Sequence, residues 1–460
     1  MIQSMTQGNP LKLIILFSIP IMLGNLFQQV YILSDLYILG HYLGLHALAV
    51  AGAMTPVFVM TIMFATGFTN GLCVITAQRF GANDICSVRK SFSGGILLTA
   101  ILCIGVMISL NLMMDTILHK MNVPADIYDD SKRFLTILSY SLFATLFYNY
   151  LAGIMRALGD SRTPLYFLIF ASLLNIAINV PLIAYFHWDV TGAALGTGVA
   201  QTVSALLCVC FLFWRFPILR LKQKDWRLNF SFLLEHLKIA VPMSIQFSVI
   251  GIGVIIIQSI CNSFGTDTIA AFASAGRIEQ IMTMPLFSLG MALTTYSAQN
   301  YGGRYIRRIR QGVLQCFLFS GTISFIMAII AYHFGEDLAG IFLNHPSEFV
   351  LNQAAGYIKI TTLFYFFLSM IFVFRQVLQG MGYPMLPLIS GIVELVMRGF
   401  AAWYLSVAYG YIGICYASPI AWIGGAMIVT VGYFIIIRRF KVSLFGKLDQ
   451  KSPVPNQVRG

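Results

Sequence analysis

Long apolar stretches alternate with short polar segments along the whole chain. A helix needs about 20 mainly apolar residues to cross the hydrocarbon core of a bilayer. Twelve stretches meet this requirement: 11–39, 47–72, 92–114, 134–156, 164–187, 191–214, 236–263, 268–295, 313–334, 357–379, 385–408 and 411–437. The connections at 188–190 and 409–410 are so short that they predict antiparallel helical hairpins. The pattern predicts an all-α integral membrane protein with twelve transmembrane helices.

The composition agrees with a membrane protein and excludes several other classes. Hydrophobic residues make up 58% of the chain and charged residues 10%, whereas soluble proteins carry about 25% charged residues. The net charge of +12 does not indicate nucleic-acid binding, because the basic residues lie in short loops between apolar stretches. The eight Cys form no C-x-x-C pair and the seven His are scattered, so we expect no disulfide framework, metal site or cofactor.

The charges of the loops predict the orientation of the chain in the membrane. Lys and Arg are concentrated in every second loop and near the C-terminus, whereas Asp and Glu dominate the alternate loops. The basic segments are 73–91, 156–163, 215–235, 296–312 and 438–460. By the positive-inside rule these segments face the cytoplasm. We therefore expect a multi-pass protein of the plasma membrane with both termini in the cytoplasm.

Similar motifs recur at a nearly constant separation, which indicates an internal repeat. Pro20 and Pro242 are 222 residues apart, and 77–82 resembles 298–303 at a separation of 221. The repeat predicts four segments: an N-terminal six-helix lobe 1–214, a basic cytoplasmic linker 215–235, a C-terminal six-helix lobe 236–440 and a cytoplasmic tail 441–460. Because six spans per lobe give both lobes the same orientation, the pseudo-twofold axis follows the membrane normal. Some transporters rock two such halves around a central cavity.

The chain resembles the multidrug and toxic compound extrusion (MATE) transporters, in particular their prokaryotic DinF-like and multidrug-pump branches. The resemblance rests on the order and spacing of several segments: Tyr31 and 34–40 in span one, 47–56 in span two, 149–164, Asn175 and Asn179 in span five, 192–197, 277–286 and 299–302. It implies a V-shaped fold of two lobes. It also implies a transporter, not an enzyme, that exports organic compounds in exchange for H⁺ or Na⁺.

The resemblance also implies which residues couple transport to an ion. The essential span-one Asp of DinF-like members falls on Asp35, and their neighbouring Tyr matches Tyr31. Polar positions of spans five and six match Asn175, Asn179 and Thr197. The family often has Asp where this chain has Asn179, so the chain carries one carboxylate instead of two. The sodium-coupled branch has an acid in span seven, and none lies between 239 and 264. These departures favour protons as the coupling ion.

The residues themselves support this interpretation but leave alternatives open. Asp35 is the only charged residue in 13–40, and isolated intramembrane acids often mark ion or substrate pathways; the alternative is an acid at the membrane interface. Tyr31 lies four residues earlier, on the same helix face. Asn175 and Asn179 share a face in the same way, and could either bind the carboxylate or join helices. Thr197 lies among glycines that also suit close helix packing.

Charges also interrupt the apolar stretches of the second half. Glu394 and Arg398 are four residues apart, so we expect them to neutralise each other. Glu279 and Arg375 would then need partners across the cavity. Each of these four residues could either form a structural ion pair or contact the substrate. With Tyr31 and Asn149 they form the predicted set of substrate contacts.

Two other functions remain as alternatives to drug export. A flippase for lipid-linked precursors would need a strongly cationic cavity, which the intramembrane acids disfavour. An intramembrane enzyme would need reactive groups that converge at one depth, and no such catalytic set is evident. The expected partners are small organic substrates and membrane lipids but not nucleic acid, and we expect a monomer.

Overall fold

The computed structural model describes residues 4–343 and 347–449, with side chains described to residue 440. In these ranges the chain is helical and contains no β-strand. The α-helices are α1 (Pro10–Gly81), α2 (Ile85–Lys120), α3 (Tyr128–Ala157), α4 (Arg162–Ala184), α5 (Val190–Arg215), α6 (Phe230–Cys261), α7 (Thr266–Gly302), α8 (Ile306–Gly340), α9 (Glu348–Leu363), α10 (Tyr365–Gly380), α11 (Met385–Tyr409) and α12 (Tyr411–Asp449). The predicted all-α fold is confirmed. The last residues of the predicted tail, 450–460, lie outside the described residues.

Two of these elements show how twelve helices correspond to twelve spans. Helix α1 has 72 residues, about 108 Å at 1.5 Å per residue, which is more than three times the hydrocarbon thickness. It breaks at Gly44, whose φ of 76° and ψ of −161° are non-helical, so that it crosses twice. Conversely, α9 and α10 meet at a 51° bend at Phe364 and form one broken span. Helix α7 is 37 residues long, which is enough to cross the bilayer.

The spans form two lobes joined by a linker that packs on the first lobe. The predicted boundaries assign helices α1–α5 to the N-terminal lobe and α6–α12 to the C-terminal lobe. Between them, two short 3-10 helices occupy Pro217–Leu219 and Gln223–Trp226. The carboxylate of Asp225 is buried and lies 3.3 Å from Arg89 Nε, and Ser93 donates a 2.6 Å hydrogen bond to the Asp225 carbonyl. The linker is therefore fixed to α2.

The two lobes make backbone contact where α1 and α7 end. A Cβ atom added to Gly81 would overlap the carbonyl oxygen of Gln299, and one added to Gly302 would overlap that of Gln78. Only glycine allows two helix backbones to approach so closely. Both glycines belong to the repeated motif, so the contact is pseudo-symmetric. It lies at the end of the bundle that carries most of the basic loops, which we call the basic end.

Two pseudo-symmetric hydrogen bonds reinforce this contact. Gln78 Nε2 donates to the Gly380 carbonyl over 2.8 Å, and Gln299 Nε2 donates to the Ala157 carbonyl over 2.9 Å. The backbone N–H of Met5, which is buried, donates to Gln299 Oε1 over 2.9 Å. We call these contacts the basic-end latch. They close the basic end in the structure.

Candidate functional site

Five of the predicted residues form one hydrogen-bonded network inside the N-terminal lobe. Asn179 Nδ2 donates to Asp35 Oδ1 over 2.9 Å and to Asn175 Oδ1 over 3.1 Å. Asn175 Nδ2 donates to Thr197 Oγ1 over 3.2 Å, and this hydroxyl lies 3.1 Å from that of Tyr31. The network joins α1, α4 and α5. The structure thus brings together the predicted coupling residues and Tyr31, which is one of the predicted substrate contacts.

Helix geometry and one glycine explain why these side chains meet. Tyr31 and Asp35 lie one helical turn apart on α1, as Asn175 and Asn179 do on α4, so each pair shares a face. Both amides are buried. A Cβ atom added to Gly196 of α5 would overlap Asn179 Oδ1, so the absence of a side chain there allows α5 to pack directly on the amide.

The position of Asp35 within α1 bears on whether it is an interfacial residue. It lies nine residues before the break at Gly44, which is about 13 Å along the helix. Its carboxylate is partly buried and points to an amide of a neighbouring helix. Asp35 is therefore part of the interior of the lobe and not of the chain reversal.

The charged residues of the C-terminal lobe pair differently from the prediction. Glu394 does not neutralise Arg398; it forms a buried ion pair with Arg375 of α10, and this part of the prediction is wrong. Ser390 accepts a 3.2 Å hydrogen bond from Arg375 and donates a 3.0 Å bond to Glu394. The packing of α10 on α11 decides the pairing. Arg398 instead extends toward α6, where its Nη1 would lie 2.7 Å from a Cβ added to Gly253.

The remaining predicted residues lie apart from these two groups. Glu279 accepts a 2.6 Å hydrogen bond from the hydroxyl of Tyr357, not from Arg375. Asn149 of α3 is partly buried and makes no side-chain hydrogen bond with the rest of the described chain. The C-terminal charges therefore form their own clusters and do not join the Asp35 network.

The end of the segment 149–164, which carries part of the resemblance, has a structural role at the start of α4. Asp160 Oδ1 accepts hydrogen bonds from the backbone N–H groups of Arg162 and Thr163 over 3.0 and 3.1 Å. Its other oxygen accepts a 2.7 Å bond from the Thr163 hydroxyl. Asp160 therefore satisfies free N–H groups at the start of α4, as side-chain caps do.

The sequence did not identify the basic-end latch as a functional element. Its two glutamines entered only as parts of the repeated Ala-Gln motif. The repeat was sufficient in principle to identify this contact. A polar residue that recurs at a constant separation within apolar stretches indicates that it has the same role in both lobes. The burial of Met5 has no comparable signal, because it depends on how the N-terminal segment folds back on α7.

Two six-helix lobes that close at one end, with a polar network buried in one of them, define a multi-pass membrane transporter and not an enzyme. A family model described as MatE matches residues 20–180 and 242–404. These ranges cover well over half of the chain, which therefore belongs to the MatE family, the multidrug and toxic compound extrusion transporters. The predicted family is confirmed.

Several known proteins are similar over nearly the full length. The probable multidrug resistance protein YpnP of Bacillus subtilis is 27% identical over 408 residues, 86% of this chain and 90% of that protein. The probable multidrug resistance protein NorM of Thermotoga maritima is 25% identical, over 90% of this chain and 88% of its own length. A crystal structure of MATE in the bent conformation superimposes with a TM-score of 0.89 at 24% identity, covering 95% of this chain and 98% of the other.

Proposed function

We propose that the protein is a secondary antiporter that exports organic compounds across the plasma membrane in exchange for protons. Relatives over most of its length carry the name of multidrug resistance or multidrug export proteins. The distribution of basic loops supports a cytoplasmic location for the basic end and both termini. The protein works as a monomer in this proposal, with organic compounds and lipids as its partners and no cofactor besides the coupling ion.

The hydrogen bond between Asp35 and Asn179 is the observation that carries this proposal. An ionised carboxylate can only accept hydrogen bonds, whereas a protonated one also donates. In the structure Asn179 Nδ2 donates to Asp35, a bond that the ionised carboxylate can accept, while Asn179 Oδ1 is buried without a partner. Rotation of the amide would present Oδ1 to a protonated Asp35. The same rotation would break the bond from Asn179 to Asn175, so that protonation is linked to the packing of α1 on α4.

This linkage suggests how a proton could drive the transport cycle. Protonation of Asp35 loosens the first span of α1, which can bend at Pro20 because proline lacks the N–H of a regular helix bond. Substrate then leaves on the outer side, the latch opens the basic end, and the proton departs to the cytoplasm. One charge moving inward is worth about 2.3 kcal/mol per 100 mV, which sustains a concentration ratio of about 50 for a neutral substrate.

The predicted substrate contacts divide into two groups in this proposal. Tyr31, Asn149, Glu279 and Arg398 are substrate contacts. Arg375 and Glu394 satisfy each other in a buried pair, so their role is to hold α10 against α11. A cationic cavity suited to a lipid pyrophosphate is not favoured, because Glu279 and Glu394 equal in number the two arginines predicted with them, Arg375 and Arg398.

The test is uptake of a fluorescent organic cation by proteoliposomes under separately imposed H⁺ and Na⁺ gradients. We expect a proton gradient to drive uptake and a sodium gradient to leave it at background. Asp35→Asn should abolish the driven uptake. Asp126→Asn, which changes an exposed acid between α2 and α3, should retain it. Uptake driven by sodium alone would contradict proton coupling, and the absence of driven uptake across a panel of substrates would contradict export itself.

A further inference from the structure

A small cavity lies between the lobes near the basic-end latch. The second span of α1, α3 and α7 line it, so both lobes contribute to its wall. Its volume of about 30 Å³ is enough for one or two water molecules or a small ion and too small for an organic substrate. Its polar lining residues include Asn70, Arg156 and Thr295.

These three side chains lack partners within the described part of the chain. Arg156 forms no ion pair there, and neither its guanidinium nor the side chains of Asn70 and Thr295 take part in a hydrogen bond. The neighbouring Thr294 is different, because it donates a 2.7 Å hydrogen bond to Gln376. The acid nearest to Arg156 in sequence, Asp160, is occupied at the start of α4. A guanidinium thus faces a small cavity with a mainly apolar lining, and no carboxylate of the described residues pairs with it.

An unpaired charge removed from bulk water is costly, and the groups around this one are suited to a negative ion. Guanidinium offers five N–H donors and no acceptor, an amide offers two donors, and a hydroxyl offers one. We propose that the cavity is a binding site for a small monovalent anion, either chloride or a carboxylate group, held by Arg156, Asn70 and Thr295. Because Thr295 belongs to one lobe and Arg156 to the other, the anion bridges the lobes.

Such a bridge links anion binding to the conformation of the protein. The site exists only while the lobes meet at the basic end, and a ligand that binds one conformation stabilises that conformation. The anion should therefore favour the closed basic end. This inference concerns binding and does not depend on proton coupling or on the identity of the exported compounds.

The test compares the thermal unfolding of purified protein in three sodium salts at constant ionic strength: chloride, acetate and gluconate, which is the reference because its six-carbon chain is too large for the cavity. We expect a saturable rise in Tm when chloride or acetate replaces gluconate. A rise in chloride alone identifies the halide as the ligand, and an equal or larger rise in acetate identifies a carboxylate. Arg156→Gln should lose the rise, whereas Arg162→Gln, which changes an exposed arginine at the start of α4, should retain it.

Two further measurements keep the proposal testable if Arg156→Gln does not fold. Thr295→Val and Asn70→Leu should each raise the anion concentration at half-maximal Tm shift by about tenfold. Where chloride raises Tm, anomalous diffraction from crystals grown in bromide should place a peak beside the Arg156 guanidinium. The proposal is overturned if neither anion raises Tm above gluconate, if Arg156→Gln keeps the full rise, if both other variants leave the midpoint unchanged, or if chloride raises Tm but bromide does not occupy the cavity.

Discussion

Replacement of Gly196 by alanine tests whether the coupling network depends on close packing of α5 on α4. The added Cβ would overlap Asn179 Oδ1 and lie 2.8 Å from Asn179 Cγ, against a comfortable carbon–carbon distance of about 3.5 Å. Relief of this clash displaces the amide by about 0.7 Å or more. The 2.9 Å bond from Asn179 to Asp35 then lengthens to about 3.6 Å, which is no longer a hydrogen bond.

The size of the effect follows from the charge on the acceptor. A hydrogen bond to a charged group contributes about 1.5–3 kcal/mol. If the bond to Asp35 acts in the coupling step, its loss slows proton-driven export by about ten- to a hundredfold. The helix itself should be little affected, because alanine has a higher helix propensity than glycine.

The assay is the initial rate of proton-driven export in proteoliposomes, with a second glycine as a control. Gly105→Ala in α2 adds its Cβ to open space and should keep the rate. If Gly196→Ala acts through the Asn179 amide, it should cause no further loss of export rate in an Asn179→Ala background. The effects of two substitutions that act through the same group are not additive. A normal rate for Gly196→Ala, or a double variant much slower than Asn179→Ala alone, would refute the reasoning.

Three other changes have equally definite outcomes. Asn179→Asp places a second carboxylate beside Asp35. Because close acids titrate as a coupled pair, the pH profile of export should shift or broaden. An unchanged profile would argue against the proximity of residues 35 and 179. Gly81→Ala puts a Cβ into a carbonyl of the opposite lobe and should reduce export to background in a protein that still elutes as a single peak; export at the wild-type rate would show that the latch need not close. Arg375→Leu should lower Tm strongly, because it leaves buried Glu394 without its partner at a cost of about 3–5 kcal/mol. The double variant Arg375→Leu, Glu394→Leu should recover most of this loss of stability, and no recovery would contradict a paired role.

The sequence predicted the spans well because the requirement for about 20 apolar residues is strict in a bilayer. It predicted the ends of the helices less well. The region 40–46, expected as a connection, is helical apart from the break at Gly44, and α1 continues to Gly81 beyond the predicted end at 72. Hydropathy reports the hydrocarbon region alone, whereas a helix continues into water until its backbone groups find caps. The bend at Phe364 involves neither glycine nor proline and has no sequence signal.

In the candidate site, too, contacts within one helix could be predicted from the sequence, whereas contacts between helices could not. The pairs Tyr31–Asp35 and Asn175–Asn179 could be predicted, because residues four apart share a face wherever a helix forms. The partner of Glu394 could not be predicted in this way. A local pairing with Arg398 was available, but the packing of α10 brought Arg375 to the same carboxylate. Contacts between helices depend on which faces meet, and helical periodicity does not determine that.

Substrate-induced proton release from purified protein, measured as a function of pH, tests most directly whether Asp35 couples export to protons. The account predicts that wild-type protein releases protons in one simple transition, because Asp35 has only neutral hydrogen-bond partners in its network. Asp35→Asn should bind substrate without releasing protons. Proton release that persists in Asp35→Asn, or two transitions that both survive Asn179→Ala, would contradict the account and place a coupling group elsewhere, with Glu279 the first to examine.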